Sequence, residues 1–420
     1  MPPRAATPFT AVLPFAGAYF LSYLYRTANA VIGPELRDEL SLSASEIGLL
    51  TAAYFLSFAV AQLPLGVLLD RFGARRVESA LLLVAGAGAA AFAAAHTVPG
   101  LAAGRALVGL GVSSCLMGAF KAFSRLFAVE RQASLTGWIM TAGMLGAITS
   151  AYPMEAALRV TGWRVVFAGL AAVTIAVAVW LFLRAPDEGR PAAPEPLAAA
   201  WRGVGTVFAS LHFWRCVPLG VAFTGGFMAV QGLWATAWLM EVNGFARAQA
   251  AAHLTGLNAA MLAGYLVIGV GADALARRGV GPAHLVGAGV PAALLVFLAI
   301  VTEATSRTQL LWMAYGVFAC AGTLMYAATA RNFPVELAGR ANTALNVVVF
   351  VGAFGIQWGI GAAVDLLRAR GLDAAAAHRA AFWALLAAQA AAYAWFAAVP
   401  RWAGAPRAVS AGGGASARGR

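Results

Sequence analysis

Tyr19, Tyr23, Arg26, Asn29 and Gly33 follow one another at intervals of four, three, three and four residues. On an α-helix that spacing puts them on one face. The flanking sequence is apolar, and the charges nearest to Arg26 are Arg4 and Glu35. A guanidinium keeps its charge, and its fork of donors matches a carboxylate or a phosphate. Three readings of Arg26 are open. Its head snorkels to an interface, or it makes a structural hydrogen bond inside a helix bundle, or it binds an anionic group. Arg105 stands in another apolar run, and no acid lies midway in any such run. Two arginines at similar depth form a positive region that a bound anion would compensate. Arg105 divides evenly between that site and the scaffold.

The second half of the chain offers aromatic and amide groups instead of charge. Thr224, Phe227, Gln231, Trp234 and Trp238 share one helical face, and Tyr315, Ala319, Gly322 and Tyr326 share another. Asn342, Asn346 and Gln357 fall nearly in line. Aromatic stripes at helical spacing also arise from packing alone. The expected ligands are Tyr23, Arg26, Asn29, Arg105, Gln231, Trp234, Tyr315 and Asn346. A positive wall facing an aromatic and amide wall fits a small organic anion with an apolar or ring portion. Glu155 and Asp365 are the candidate acids for proton coupling, although both stand near the ends of their runs, where solvated charges are also common. With no central acid, exchange, facilitated diffusion and coupling through the solute's own proton stay open.

The elements that must hold these residues are membrane helices. The chain is 61% hydrophobic and 11% charged, against roughly 45–50% and 25% in soluble domains. Apolar runs recur near 10–33, 46–69, 77–96, 98–121, 133–156, 164–184, 213–240, 248–272, 281–302, 309–330, 340–366 and 377–399. Each is about 20 residues, enough to cross the hydrocarbon core as a helix. The first run is too long for a signal peptide and lacks a small-residue cleavage site, so it is expected to stay as a span. The net charge of +12 reports topology rather than nucleic-acid binding. With the N-terminus inside, arginines concentrate in the cytoplasmic loops, so both termini are expected there. Arginine dominance, with Lys121 the single lysine, fits a bacterial cytoplasmic membrane.

The expected organisation is an N-terminal six-helix bundle over 1–184, a linker with an amphipathic segment over 185–212, a C-terminal six-helix bundle over 213–400 and a disordered tail over 401–420. The halves echo each other. Gly66 and Asp70 in "GVLLDRFGARR" correspond to Gly269 and Asp273 in "GVGADALARRG", which ends on Arg277 and Arg278. Internal repeats of this kind mark two-bundle transport folds.

"GVLLDRFGARRV" resembles the loop 2–3 signature of the major facilitator superfamily, G-x-L-x-D-R-x-G-R-R, with Ala74 where a basic residue is common. "GRALVGLG" is similar to that family's span 4, and "GWRVVF" to its start of span 6. The resemblance covers the whole chain. It implies an all-α membrane fold of twelve helices in two pseudo-symmetric bundles, around a cavity lined mainly by spans 1, 4, 7 and 10. It also implies a secondary transporter that works by alternating access. Gly66, Asp70, Arg71, Gly73, Arg75, Arg76, Asp273 and Arg277 are expected to gate, with Asp70 pairing nearby arginines or a helix N-terminus. Phosphate-ester carriers of this kind tend to add a basic residue in span 7, and this chain has none there, which points to a monocarboxylate. An exporter of the same fold and a non-transporting receptor are the alternatives. No nucleotide loop, nucleophile–base pair, metal cluster or cofactor motif is present, which excludes the usual enzyme classes. The expected partners are a small anionic solute, protons and the lipid bilayer, without nucleic acid, and the chain is expected to act as a monomer.

Overall fold

A backbone in hydrocarbon must satisfy its own hydrogen bonds, so apolar runs of this length become helices. The computed structural model describes residues 8–127, 129–186, 197–278, 280 and 282–398, and among them there is no strand. Span 1 is Pro8–Thr27 continued by Asn29–Leu40, span 2 is Ala44–Phe72, span 3 is Ala74–Ala94, and span 4 is Val98–Val112 continued by Cys115–Leu126. Span 5 is Val129–Thr149 with a short helix Tyr152–Thr161 beyond it, and span 6 is Trp163–Arg184. A connecting helix, Leu197–Phe208, leads to span 7 at Leu211–Glu241. Spans 8 to 12 are Arg247–Arg277, Pro282–Val301, Thr308–Ala330, Val335–Ala369 and Ala374–Ala398. Ten of these helices are long and apolar enough to cross a membrane over their described residues. The chain is a multi-pass membrane protein with the all-α architecture expected from its sequence.

Alternating direction leaves Pro8 and Ala398 at one end, called here the terminal end; the other is the far end. Span 1 runs on to Leu40, past the predicted boundary at 33. The charges Glu35, Arg37 and Asp38 end the apolar run but not the helix. Local signals set the other ends. Ser43 and Glu46 form a capping box on span 2, and the Thr97 side chain caps span 4 through Gly100 N. Gly73, at φ +80°, turns span 2 into span 3, a backbone conformation that side chains disfavour.

Four spans are irregular near their middles. Span 1 breaks between Thr27 and Asn29, and span 4 between Val112 and Cys115. Span 7 contains two π-helical segments, Gly220–Gly225 and Val230–Trp234, and span 10 a 3₁₀ turn, Cys320–Thr323. These are the first and fourth spans of each half. Interrupted helices and π segments concentrate at the binding sites of membrane transporters.

The halves meet at the far end. Span 2 packs along span 11, span 5 on span 8, and span 1 on the second π segment of span 7. Spans 2 and 11 come close because Gly48 and Gly361 bear no side chain; a Cβ at Gly48 would lie 2.9 Å from Gln357 O. Among the described residues no comparable packing joins Cys115–Leu126 of span 4 to span 10 or span 11 at the terminal end. The connecting helix docks there on span 11, with Gly203 against the Arg340 side chain. Among the described residues, the contacts between the halves therefore concentrate at the far end.

Within the first half, small residues let spans 3 and 4 touch, as membrane helices commonly do. A Cβ on Gly111 would sit 2.6 Å from Ala85 Cα, whereas one on Gly137 would meet nothing within 4 Å. Gly111→Val should therefore lower stability by about 1–3 kcal/mol through overpacking, and Gly137→Val should leave it nearly unchanged. Thermal unfolding of the detergent-solubilised variants measures the difference. Equal midpoints for the two variants would contradict this packing.

Candidate functional site

Arg26 stands near the middle of span 1, one residue before the break, and is 7% exposed. Its guanidinium lies against three rings: Tyr23 at 4.5 Å, Phe350 at 5.3 Å and Phe58 at 5.6 Å. Phe58 belongs to span 2 and Phe350 to span 11, so the head lies in the seam between the halves. Gly232 of span 7 faces the Arg26 carbonyl, where an added Cβ would lie 3.6 Å away. Snorkelling needs an exposed head, and this one is enclosed. The Tyr54 phenol is within hydrogen-bonding reach of the guanidinium, and Arg26 Nε has no partner. Among the described residues no carboxylate pairs with it.

Arg105 is fully buried and belongs to the frame of the first half. Its Nη2 donates to Tyr25 O at 3.0 Å, beside the span 1 break, and its guanidinium lies 5.2 Å from the Tyr54 ring. Tyr54 in turn donates to Ser22 O at 3.2 Å. Tyr54 therefore stands between the two arginines, holding Ser22 and presenting its ring to Arg105. Nothing in the sequence distinguished Tyr54 from a packing residue.

The other expected ligands are drawn into the frame. Asn29 donates to Thr51 Oγ1 at 2.7 Å, tying span 1 to span 2. Gln231 donates to Asn258 Oδ1 at 2.7 Å, and Asn258 donates to Ala147 O at 3.0 Å, which carries the contact from span 7 through span 8 to span 5. Ser150 and Thr27 share a hydrogen bond of 2.5 Å that joins span 5 to span 1. Trp234 donates to Gln357 O at 3.0 Å. Tyr315 is buried among Phe297 and Phe227 of its own half. Asn346 is half-buried and accepts from Tyr326 Oη at 2.9 Å, and Tyr326 lies within electrostatic range of Arg26. Of the eight expected ligands, Arg26 and Tyr23 are in mutual contact; Gln231 and Trp234 belong to the π segment Val230–Trp234, where a regular 3.6-residue count does not apply.

The expected gating residues divide. Asp70 pairs with Lys121 of span 4 rather than with an arginine. Arg71 is exposed with its head 5.5 Å from the Phe72 ring, and Arg76 is exposed too. Arg75 donates to Ala185 O at 3.3 Å. Gly66 faces open space, where an added Cβ would meet nothing within 4 Å. The Asp273 and Arg277 side chains lie outside the described residues. Glu78, which the sequence reading passed over, is fully buried at the start of span 3 against Gly118 of span 4.

At the far end the sequence reading missed a set of contacts between the halves. Glu35 pairs with Arg247 at 2.8 Å, and Arg37 with Glu241 at 2.7 Å. Asp365 accepts from Ala44 N at 3.0 Å and from Ser45 N at 2.7 Å, so an acid of span 11 caps the N-terminus of span 2. Glu155 is buried and pairs with Arg159 at 2.8 Å, leaving its Oε2 without a partner.

Contacts between the halves that concentrate at the far end, and a cation in the seam with no carboxylate partner among the described residues, mark the centre of this all-α membrane protein. The sequence model of the Major Facilitator Superfamily matches residues 15–357, and the chain belongs to that family. Membership places it among membrane transporters rather than enzymes. A solved bacterial homolog to the human lysosomal transporter Spinster, in an inward-facing and unoccupied conformation, shares the fold with a TM-score of 0.76 at 19% identity, over 93% of this chain and 97% of that one. Curated relatives are matched over short segments. A probable L-galactonate transporter of Escherichia coli (strain K12) is 46% identical over 66 residues, 16% of this chain and 15% of that protein. The probable sulfoacetate transporter SauU of Cupriavidus necator is 30% identical over 132 residues, 31% of each. The chain thus spans under a third of the length of these two relatives.

The Asp365 cap yields a direct expectation. A lost N-cap costs about 1 kcal/mol, roughly a fivefold change in a two-state ratio. Asp365→Ala should therefore enlarge the population open at the far end. Spin labels at positions 38 and 370, both exposed there, report it as added long distances. An unchanged distance distribution would remove Asp365 from any closing role.

Proposed function

We propose that this chain is a secondary active transporter that carries a small organic anion, a carboxylate, across a bacterial cytoplasmic membrane by alternating access. The observation that carries the reading is the enclosed Arg26 guanidinium, ringed by Tyr23, Phe58 and Phe350, with no carboxylate partner among the described residues. A fixed charge in such a place is stabilised by an anion that arrives and leaves. The printed names of the matched relatives, an L-galactonate and a sulfoacetate transporter, support an anionic solute. With both termini in the cytoplasm, as the arginine bias favours, the described state opens inward. The two halves, divided by the connecting helix, act as the rocking units, with Asp70 and its neighbours gating the terminal end. Of the two acids proposed for proton coupling, Asp365 is committed to a helix N-terminus and Glu155 keeps one oxygen uncommitted, so Glu155 is the better candidate. The chain acts as a monomer in this reading.

The test is at Arg26. Arg26→Gln should abolish uptake of labelled carboxylates into proteoliposomes. Arg26→Lys should fail almost as badly, because lysine keeps the charge and loses the fork. A charge-assisted hydrogen bond contributes roughly 1.5–3 kcal/mol, so binding should weaken by one to two orders of magnitude. A lysine variant with wild-type affinity refutes the fork, and uptake of cations but not acids refutes the anion.

If Glu155 couples protons, uptake should rise as the external pH falls, and Glu155→Gln should flatten that profile while the bound anion still protects against unfolding. A wild-type profile in the glutamine variant excludes Glu155.

A further inference from the structure

We infer that Phe58 and Phe350 set the substrate class at the Arg26 site, selecting acids whose carboxylate adjoins an apolar or aromatic body over polyhydroxy acids. The inference rests on the anion reading above and narrows it.

The two rings stack across the halves, with centroids 4.3 Å apart and planes 10° from parallel. The Tyr54 ring stacks on Phe58 at 6.1 Å, and Phe55 meets Phe350 edge-on at 5.9 Å. A carboxylate on the Arg26 fork therefore brings its next carbons against ring faces. Four donors that could greet sugar-like hydroxyls are already engaged, and Asn29 Oδ1 remains as an acceptor without a partner, too few for the several hydroxyls of a polyhydroxy acid. Gln231 Nε2 is given to Asn258, Asn29 Nδ2 to Thr51, Tyr326 Oη to Asn346, and Tyr54 Oη to Ser22 O. Tyr19 Oη makes one long contact, 3.9 Å to Met140 Sδ, and is available to the carboxylate. Each hydroxyl of a polyhydroxy acid needs a partner, and one left buried without it lowers affinity by about tenfold. An apolar body makes no such demand and gains by covering the rings. The L-galactonate relative, matched over 66 residues, is therefore a guide to the charge of the solute and not to its body.

The experiment compares phenylacetate and butyrate with L-galactonate and sulfoacetate as ligands of the purified full-length chain, read by thermal unfolding and by proteoliposome uptake. Phenylacetate should protect at a concentration at least about tenfold below that needed for L-galactonate. Phe350→Asn and Phe58→Asn should each shrink that ratio about tenfold by weakening phenylacetate, whereas Phe350→Leu, which keeps an apolar surface and the fold, should retain it. Arg26→Gln should remove protection by both acids. L-galactonate protecting as well as phenylacetate, in an Arg26-dependent way, overturns the assignment of substrate class and leaves the anion reading standing. An unchanged ratio in both asparagine variants overturns the role of the two rings. If no acid in the panel protects in an Arg26-dependent way, the anion reading falls and this inference falls with it.

Discussion

Placing an arginine at the centre of a membrane helix costs about 2.5–3.5 kcal/mol on insertion scales; this chain buries two within its spans, and among the described residues no acid pairs with either. The structure treats the two differently. Arg105 is spent on the frame: it takes a backbone carbonyl beside the span 1 break and lies against Tyr54. Arg26 is held by ring faces, which attract a cation without forming a fixed ion pair; such contacts contribute about 0.5–2 kcal/mol each. A carboxylate from the protein would have neutralised Arg26 permanently. Rings stabilise it in part, and in the proposed reading a solute anion supplies the rest. The seam between the halves, the span 1 break and the span 7 π segment all converge on that one residue.

The same economy governs closure at the far end. The Glu35–Arg247 and Arg37–Glu241 pairs have side chains about a quarter to a third exposed, and pairs of that kind are worth roughly 0.2–1 kcal/mol each. The Asp365 cap, with two backbone donors and a helix dipole, is the stronger single contact. The sum of these polar contacts is a few kcal/mol. A closed end held by more would trap one state, because a ligand shifts an equilibrium only by its differential affinity for the two states.

Much of this architecture was legible in the sequence because hydrocarbon leaves a backbone few choices. Run length gave the helices. The shared face of Tyr23 and Arg26 was legible too, since regular helix holds up to the break after Thr27. Prediction weakened where periodicity did. Two π segments interrupt span 7, so a 3.6-residue count does not apply to Gln231 and Trp234, which hydrogen-bond Asn258 and Gln357. Phe58 and Phe350 were invisible for another reason: an aromatic on a membrane helix reads as packing until the helix across from it is known. Asp365 looked like a solvated loop-end charge because its partners are backbone amides more than 300 residues earlier in the chain.

The two ends also differ in which contacts cross between halves, and that difference says what must change in transport. At the terminal end the span 2 acid, Asp70, is paired with Lys121 inside its own half. At the far end the span 11 acid, Asp365, is paired with span 2 of the other half. On the proposed alternating cycle, opening the far end strips Asp365 of its two amides and separates Phe58 from Phe350. That uncovers the ring faces around Arg26 to the outer side. It also exposes a charge and two hydrophobic rings together, a costly arrangement unless a solute with a charge and an apolar body covers both. On that proposed cycle, the contacts that hold one end shut and the proposed solute site share Phe58 and Phe350, so occupancy and closure are linked by the same two side chains.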